Sequence, residues 1–412
     1  MTDAPTGYPH DPYHPGRPGH PGQPPWTAPE APPVSAPGHP AAGYPAQAYP
    51  AAGYPAHAHP AAAYPTAGAY PPQGHPGASH PPAGYPPQAY PAAGHPAPGY
   101  PVQPTAGPAP GVMSPELDRI RTAHAARDWP ALRQGIQALP TADERMVACT
   151  AVCAHGDEEF YRSVLAAHPQ DPLAMTLLGY TLLVTGWAIR GGGWANTVSR
   201  EQFAAFQEYL HRADAVLIDA LARQPQLAEA WAVRVTVARG LQLSPAEARR
   251  RYQQAVRHAP HLLAAQLSLL QKLLPKWSGS WEAAEEFVRT CVAEAPPGAP
   301  NIVLVAELHL ERMLGLSAAQ RKEYFARPEV RTQILDAARR GPLAPDFRPG
   351  LRAKSVYNTF ALVLALIEEY AGAAHCFQAL AGQMSDAPWD YLGQPMEQFV
   401  LYRDRCLREA RR

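Results

Sequence analysis

Ala213-Asp214-Ala215-Val216-Leu217-Ile218-Asp219-Ala220-Leu221-Ala222-Arg223-Gln224-Pro225 and, 35 residues later, Ala248-Arg249-Arg250-Arg251-Tyr252-Gln253-Gln254-Ala255-Val256-Arg257-His258-Ala259-Pro260 follow one pattern. Both read Ala-x3-large-x2-Ala-x4-Pro. The two alanines and the large residue fall on one face of a helix, and the proline ends it, because proline cannot continue a helix. Small residues at this spacing let two helices approach closely. A weaker third copy ends at Pro169, with Tyr161 as the large residue and Asp157 and Val164 in the small places. Self-similarity at a fixed period predicts stacked helical hairpins.

Working outward, helix punctuation recurs along the chain. Ser114-Pro115-Glu116 and Asp171-Pro172 read as capped starts with proline in the first turn. Thr141…Glu144, Ser199…Gln202, Ser244…Glu247 and Ser317…Gln320 have capping-box spacing. Gly156 and Gly341 read as stops. No Asn-Gly or Asp-Gly hairpin turn and no useful period-two run is present. The expectation is an all-α chain of about fourteen to sixteen helices joined by short loops.

Met175-x3-Gly179-x2-Leu182-x3-Gly186 resembles the first helix of a tetratricopeptide (TPR) unit, and Trp231, Val235 and Ala238 open a comparable helix. The Ala-large-Ala-Pro pattern resembles the second helix. The resemblance covers 157–274 and implies a TPR-like α-solenoid; outside it only helical hairpins are expected.

Near Val112 the composition changes. Residues 1–112 hold 32 of the 50 prolines and no Leu, Ile or Phe, and only Asp3, Asp11, Arg17 and Glu30 carry charge. Tyr-Pro and His-Pro steps recur, as in Gly43-Tyr44-Pro45 and Gly53-Tyr54-Pro55. Such a segment has too little apolar surface to offset the entropy of ordering, so a disordered Pro/Gly/Ala/Tyr/His-rich tail is expected there. Residues 113–412 are expected to form the α-helical domain.

That domain carries 34 basic and 32 acidic residues. Balanced charge offers no field for nucleic acid. The five cysteines, Cys149, Cys153, Cys291, Cys376 and Cys406, are irregularly spaced and suit reduced thiols in the cytoplasm better than a disulfide framework. No secretory signal is visible. The uncharged run Pro172–Ile189 has nearly the length of a membrane span, but its threonines and glycines point to a buried solenoid helix; no membrane insertion is expected.

Two segments interrupt the repeat, Gly186–Val198 and Leu274–Trp281. The first contains Trp187, Arg190, Gly191-Gly192-Gly193, Trp194 and Asn196; the second contains Lys276 and Trp277. Glycines permit close backbone approach, arginine pairs with carboxylate or phosphate, and tryptophan stacks on a ligand. The bland alternative is packing: Trp187 against the helix that starts at Ser199, Trp277 with Trp281, and Lys276 as a solvated charge. In the repeat register both segments follow the first helix of a hairpin, so both project from one edge. Arg190, Trp194, Asn196 and Lys276 are therefore the candidate binding residues. The runs Trp187-x-x-Arg190-Gly191…Trp194-Ala195-x-Thr197-Val198 and Leu274-Pro275-Lys276-Trp277-x-Gly279-Ser280 resemble a bacterial domain-of-unknown-function family with a TPR-like fold, over 140–400. The tail and the Ala/Arg-rich bias resemble high-GC actinobacterial proteins. The resemblance implies no reaction and no catalytic residue.

Catalytic patterns are sparse. No Gly-x-Ser-x-Gly turn, His-Glu-x-x-His or phosphate-binding loop occurs. Cys149, Cys153 and His155 lie close in sequence but are too few for a zinc site. The runs Arg249-Arg250-Arg251 and Glu285-Glu286 read as solvated faces. A protein- or peptide-binding scaffold without cofactor is the leading expectation. An enzyme or small-ligand binder using loop 186–198, and an assembly protein driven by the aromatic-proline tail, are the alternatives.

Overall fold

A computed structural model of the chain describes residues 113–154, 156–191 and 198–412. The expected tail, His155, Trp194 and Asn196 lie outside the described residues. Sixteen α-helices and no β-strand occur among the described residues. The first four are α1 (Pro115–Ala125), α2 (Trp129–Gln137), α3 (Ala142–Cys153) and α4 (Glu158–Ala167). The repeat region holds α5 (Pro172–Arg190), α6 (Arg200–Arg223), α7 (Ala228–Gly240), α8 (Pro245–His258) and α9 (Leu263–Leu273). Then come α10 (Trp281–Glu294), α11 (Val303–Met313), α12 (Ala318–Ala326) and α13 (Pro328–Arg340). The last are α14 (Ala353–Leu366), α15 (Tyr370–Leu380) and α16 (Pro395–Glu409).

The helix starts follow the local chemistry. Ser114, Thr141, Asp171, Ser199, Ser244 and Ser317 each accept a hydrogen bond from a first-turn backbone N–H. Ser199 and Ser317 complete reciprocal capping boxes with Gln202 and Gln320. The Thr141 and Ser244 caps are one-sided. Glu144 accepts from the Thr141 hydroxyl at 3.1 Å, and Glu247 is diverted to Arg250 and Arg251.

Ala213, Leu217, Ala220, Ala248 and Ala255 are fully buried, and Tyr252 is half-buried. The close approach is visible at α5 and α6. A Cβ on Gly179 would stand 2.6 Å from Leu217 Cγ, and one on Gly186 would stand 2.8 Å from Leu210 Cδ1. Only glycine allows this separation. Gly186–Arg190 therefore continue α5 rather than opening a loop, and the helix ends at Gly191, whose φ is 74°. Among the described residues α5 is the one helix long and apolar enough to cross a membrane, and 61% of its apolar stretch is buried within the protein.

Apolar packing runs as two clusters, one from Leu117 to Ala265 and one from Val235 to Cys406, which overlap along α7–α9. Polar ties join distant parts of the chain. Arg145 on α3 donates to Glu229 on α7 at 2.6 Å, and Arg352 donates to both oxygens of Asp143 at 2.8 and 2.9 Å.

Arg251 overturns the expectation of a solvated arginine run. It is 4% exposed and donates to Asp214 at 2.9 and 3.0 Å and to Glu247 at 2.8 Å. Arg234 donates to the same Asp214 at 2.8 Å. The reason is position. Arg251 lies three residues after Ala248 and four before Ala255, on the buried face of α8.

Candidate functional site

The end of α5 and the segment after α9 meet. Pro275–Trp277 form a single 3-10 turn, which Leu274 enters from α9 and Ser278 leaves with a φ of 69°. That turn presents Trp277 edge-to-face to Trp187, with ring centroids 5.8 Å apart. Trp187 also packs edge-to-face on Phe206 of α6 at 4.8 Å. Gly240 at the end of α7 gives room to Phe206 and Leu210 of α6, since a Cβ there would stand 2.9 Å from Phe206 Cζ and closer still to Leu210 Cδ2. The packing expected of Trp187 with the helix after Ser199 is present. The pairing expected between Trp277 and Trp281 is not, because Trp281 begins α10, where the Arg312 guanidinium lies 4.3 Å above its ring. Ser280 caps that helix.

Two guanidinium groups lie over the tryptophan pair. Arg190 is 5.5 Å from the Trp187 centroid and 5.9 Å from that of Trp277. Arg239, on the last turn of α7, is 4.9 and 5.4 Å from the same rings. Cation–π attraction at such distances contributes about 0.5–2 kcal/mol, with the higher values where water is excluded. Arg190 also donates to the Gly191 carbonyl at 3.0 Å.

Lys276 is not merely a solvated charge. Its Nζ donates at 2.6 Å to Glu311 of α11, a buried carboxylate that also accepts from Gln271 at 2.5 Å. One turn earlier on α11, Glu307 is half-buried and accepts from the Thr359 hydroxyl at 3.0 Å. Burial pushes the Glu307 carboxyl up to about 7, and the nearby Glu311 charge adds to the rise. Tyr391 is raised by burial and by these two carboxylates.

Of the four residues expected from sequence, Arg190 lies over the tryptophan pair, Lys276 precedes Trp277 in the chain and pairs with Glu311, and Trp194 and Asn196 lie outside the described residues. Arg239, Lys272 and Glu311 were not anticipated. A local signal existed for Lys272. It stands in Leu269-Leu270-Gln271-Lys272-Leu273-Leu274, where every face of the helix is otherwise apolar or amide-bearing. Lys272 is 2% exposed, and burial together with the Arg239 charge lowers its ammonium pKa. Burial also pushes Arg239 down to about 10, so both groups face the same unfavourable environment.

Elsewhere, Cys149 and Cys153 are buried on α3, and burial raises both thiols, Cys153 to about 12. Such thiols stay protonated and unreactive. A scan against protein-family models finds no match to this chain, and comparison with curated proteins finds none either.

Proposed function

We propose that the protein is a non-catalytic binding scaffold. In this reading its helical hairpins stack as a TPR-like solenoid, and a protein or peptide partner docks on the edge that carries Arg190, Trp187, Trp277 and Lys276. The carrying observation is the 5.8 Å contact of Trp187 with Trp277. It supports a common edge for two segments that are far apart in sequence. Tryptophan and arginine in one partly exposed cluster have the chemistry that dominates binding hot spots. Residues 1–112 act as a tether. The buried, unpaired cysteines suit a reducing compartment, so the cytoplasm belongs to the same reading.

Arg190→Ala is the informative change, because replacing Lys276 would also strip a partner from buried Glu311. Full-length wild type and Arg190→Ala serve as baits for affinity capture, with thermal unfolding measured in parallel. The expected result is loss of specific partners at an unchanged midpoint. Recovery of the same partners by both baits overturns the proposal.

A further inference from the structure

Beside the tryptophan pair, α7 and α9 bring together two cations, and the charged acid that acts on Arg239, Glu311, is shared with Lys276. The Thr236 and Ser268 hydroxyls hydrogen-bond at 2.8 Å and fix the register of the two helices. One turn further along each helix stand Arg239 and Lys272. Lys272 is 2% exposed and has no hydrogen-bond or ion-pair partner among the described residues. Arg239 Nε is buried and likewise without a hydrogen-bond partner. The nearby acid, Glu311, is already committed to Lys276 and Gln271.

A buried cation without a counter-charge is costly and is normally paired. Among the described residues, the other two arginine or lysine side chains that are buried, Arg234 and Arg251, are both paired. They share Asp214, and Arg251 also pairs with Glu247. Arg239, Lys272 and Lys276 thus stand together beside the Glu311 carboxylate with more positive charge than it can answer. An arginine offers a planar fork of donors and a lysine a compact point charge, a combination suited to an oxyanion. Three positive charges beside the Glu311 carboxylate leave two in excess, which match a dianion, whereas a single added carboxylate would neutralise one.

Resting on the binding reading above, we propose that Arg239 and Lys272 form a site for a phosphate-type dianion carried by the bound partner. The half-buried Arg239 is the part that meets solvent, and the tryptophan pair walls the site on one side.

The test is thermal unfolding of the full-length chain at fixed ionic strength in chloride, with inorganic phosphate, phosphoserine or acetate added. A ligand that binds only the folded state raises the midpoint. The expected result is a rise of a few degrees with both phosphate-bearing probes, larger with phosphoserine, and little with acetate. Lys272→Met and Arg239→Met should each abolish the rise while remaining folded. A rise unchanged in both variants, no rise above chloride, or an equal rise with acetate overturns the site. A rise with phosphate no smaller than with phosphoserine overturns the carried group. If phosphate binds as expected while Arg190→Ala captures the same partners as wild type, the anion site stands and the docking edge falls.

Discussion

Arg234 and Arg239 lie five residues apart on α7, yet they live in opposite electrostatic settings. Arg234 joins Arg251 around Asp214, with Glu247 completing the set, and Arg250 first and Arg251 next pull the Glu247 carboxyl down to about 2. Arg239 joins Lys272 with Glu311 nearby, a carboxylate already bound to Lys276 and Gln271, and burial pushes both cations toward their neutral forms. The first cluster spans α6, α7 and α8 and ties successive hairpins together. The second lies beside two tryptophans at a partly exposed edge. The difference teaches that burial of charge serves different ends on two faces of one helix. Where charge is answered, it fixes packing. Where it is not, the proposed anion would supply the missing counter-charge.

The strongest way to break the comparison is to convert the first cluster into a copy of the second. Asp214→Asn leaves Arg234 and Arg251 buried with a neutral partner. Removing one member of a buried ion pair costs roughly 3–5 kcal/mol. Denaturant unfolding should show a loss of that order. A loss below about 1 kcal/mol would mean that the arginines are compensated in some other way.

A smaller effect concerns Glu307, the acid next to the uncompensated side. Its carboxyl is raised to about 7 in the folded protein. The folded state therefore holds a proton that the unfolded chain has already released above about 4.5. The stability this group contributes is present below about 4.5 and is lost as pH rises through about 7. Glu307→Gln should remove that loss, so that its stability changes less than the wild type's between pH 4.5 and 7.5. Identical pH profiles for the two proteins would show that Glu307 ionises normally.

What the sequence revealed was mostly local. Caps at Ser199 and Ser317 depend on residues three apart, and both formed as their spacing predicts. The alanine positions were legible because small residues at helical spacing have few uses other than close packing, and Ala213, Ala220, Ala248 and Ala255 are all buried. The site was only half legible. Arg190 and Lys276 stood out because they interrupt a repeat and sit beside tryptophan. Arg239 and Lys272 did not, because their meaning arises only when α7 and α9 are set side by side by the Thr236–Ser268 contact. Arg251 was misread for a related reason. A run of three arginines looks solvated until the face shared by Ala248 and Ala255 is traced through it.

The most direct measurement compares two matched substitutions, Lys272→Met and Arg251→Met, by denaturant unfolding of the full-length protein in chloride buffer at pH 7. Both remove a buried cation and keep an apolar side chain of similar length. Lys272→Met should stabilise the protein by about 0.5–2 kcal/mol, because an unanswered charge is removed. Arg251→Met should destabilise it, because Asp214 and Glu247 lose a partner. A loss of stability in Lys272→Met comparable to that in Arg251→Met would contradict the claim that the fold leaves Arg239 and Lys272 short of counter-charge.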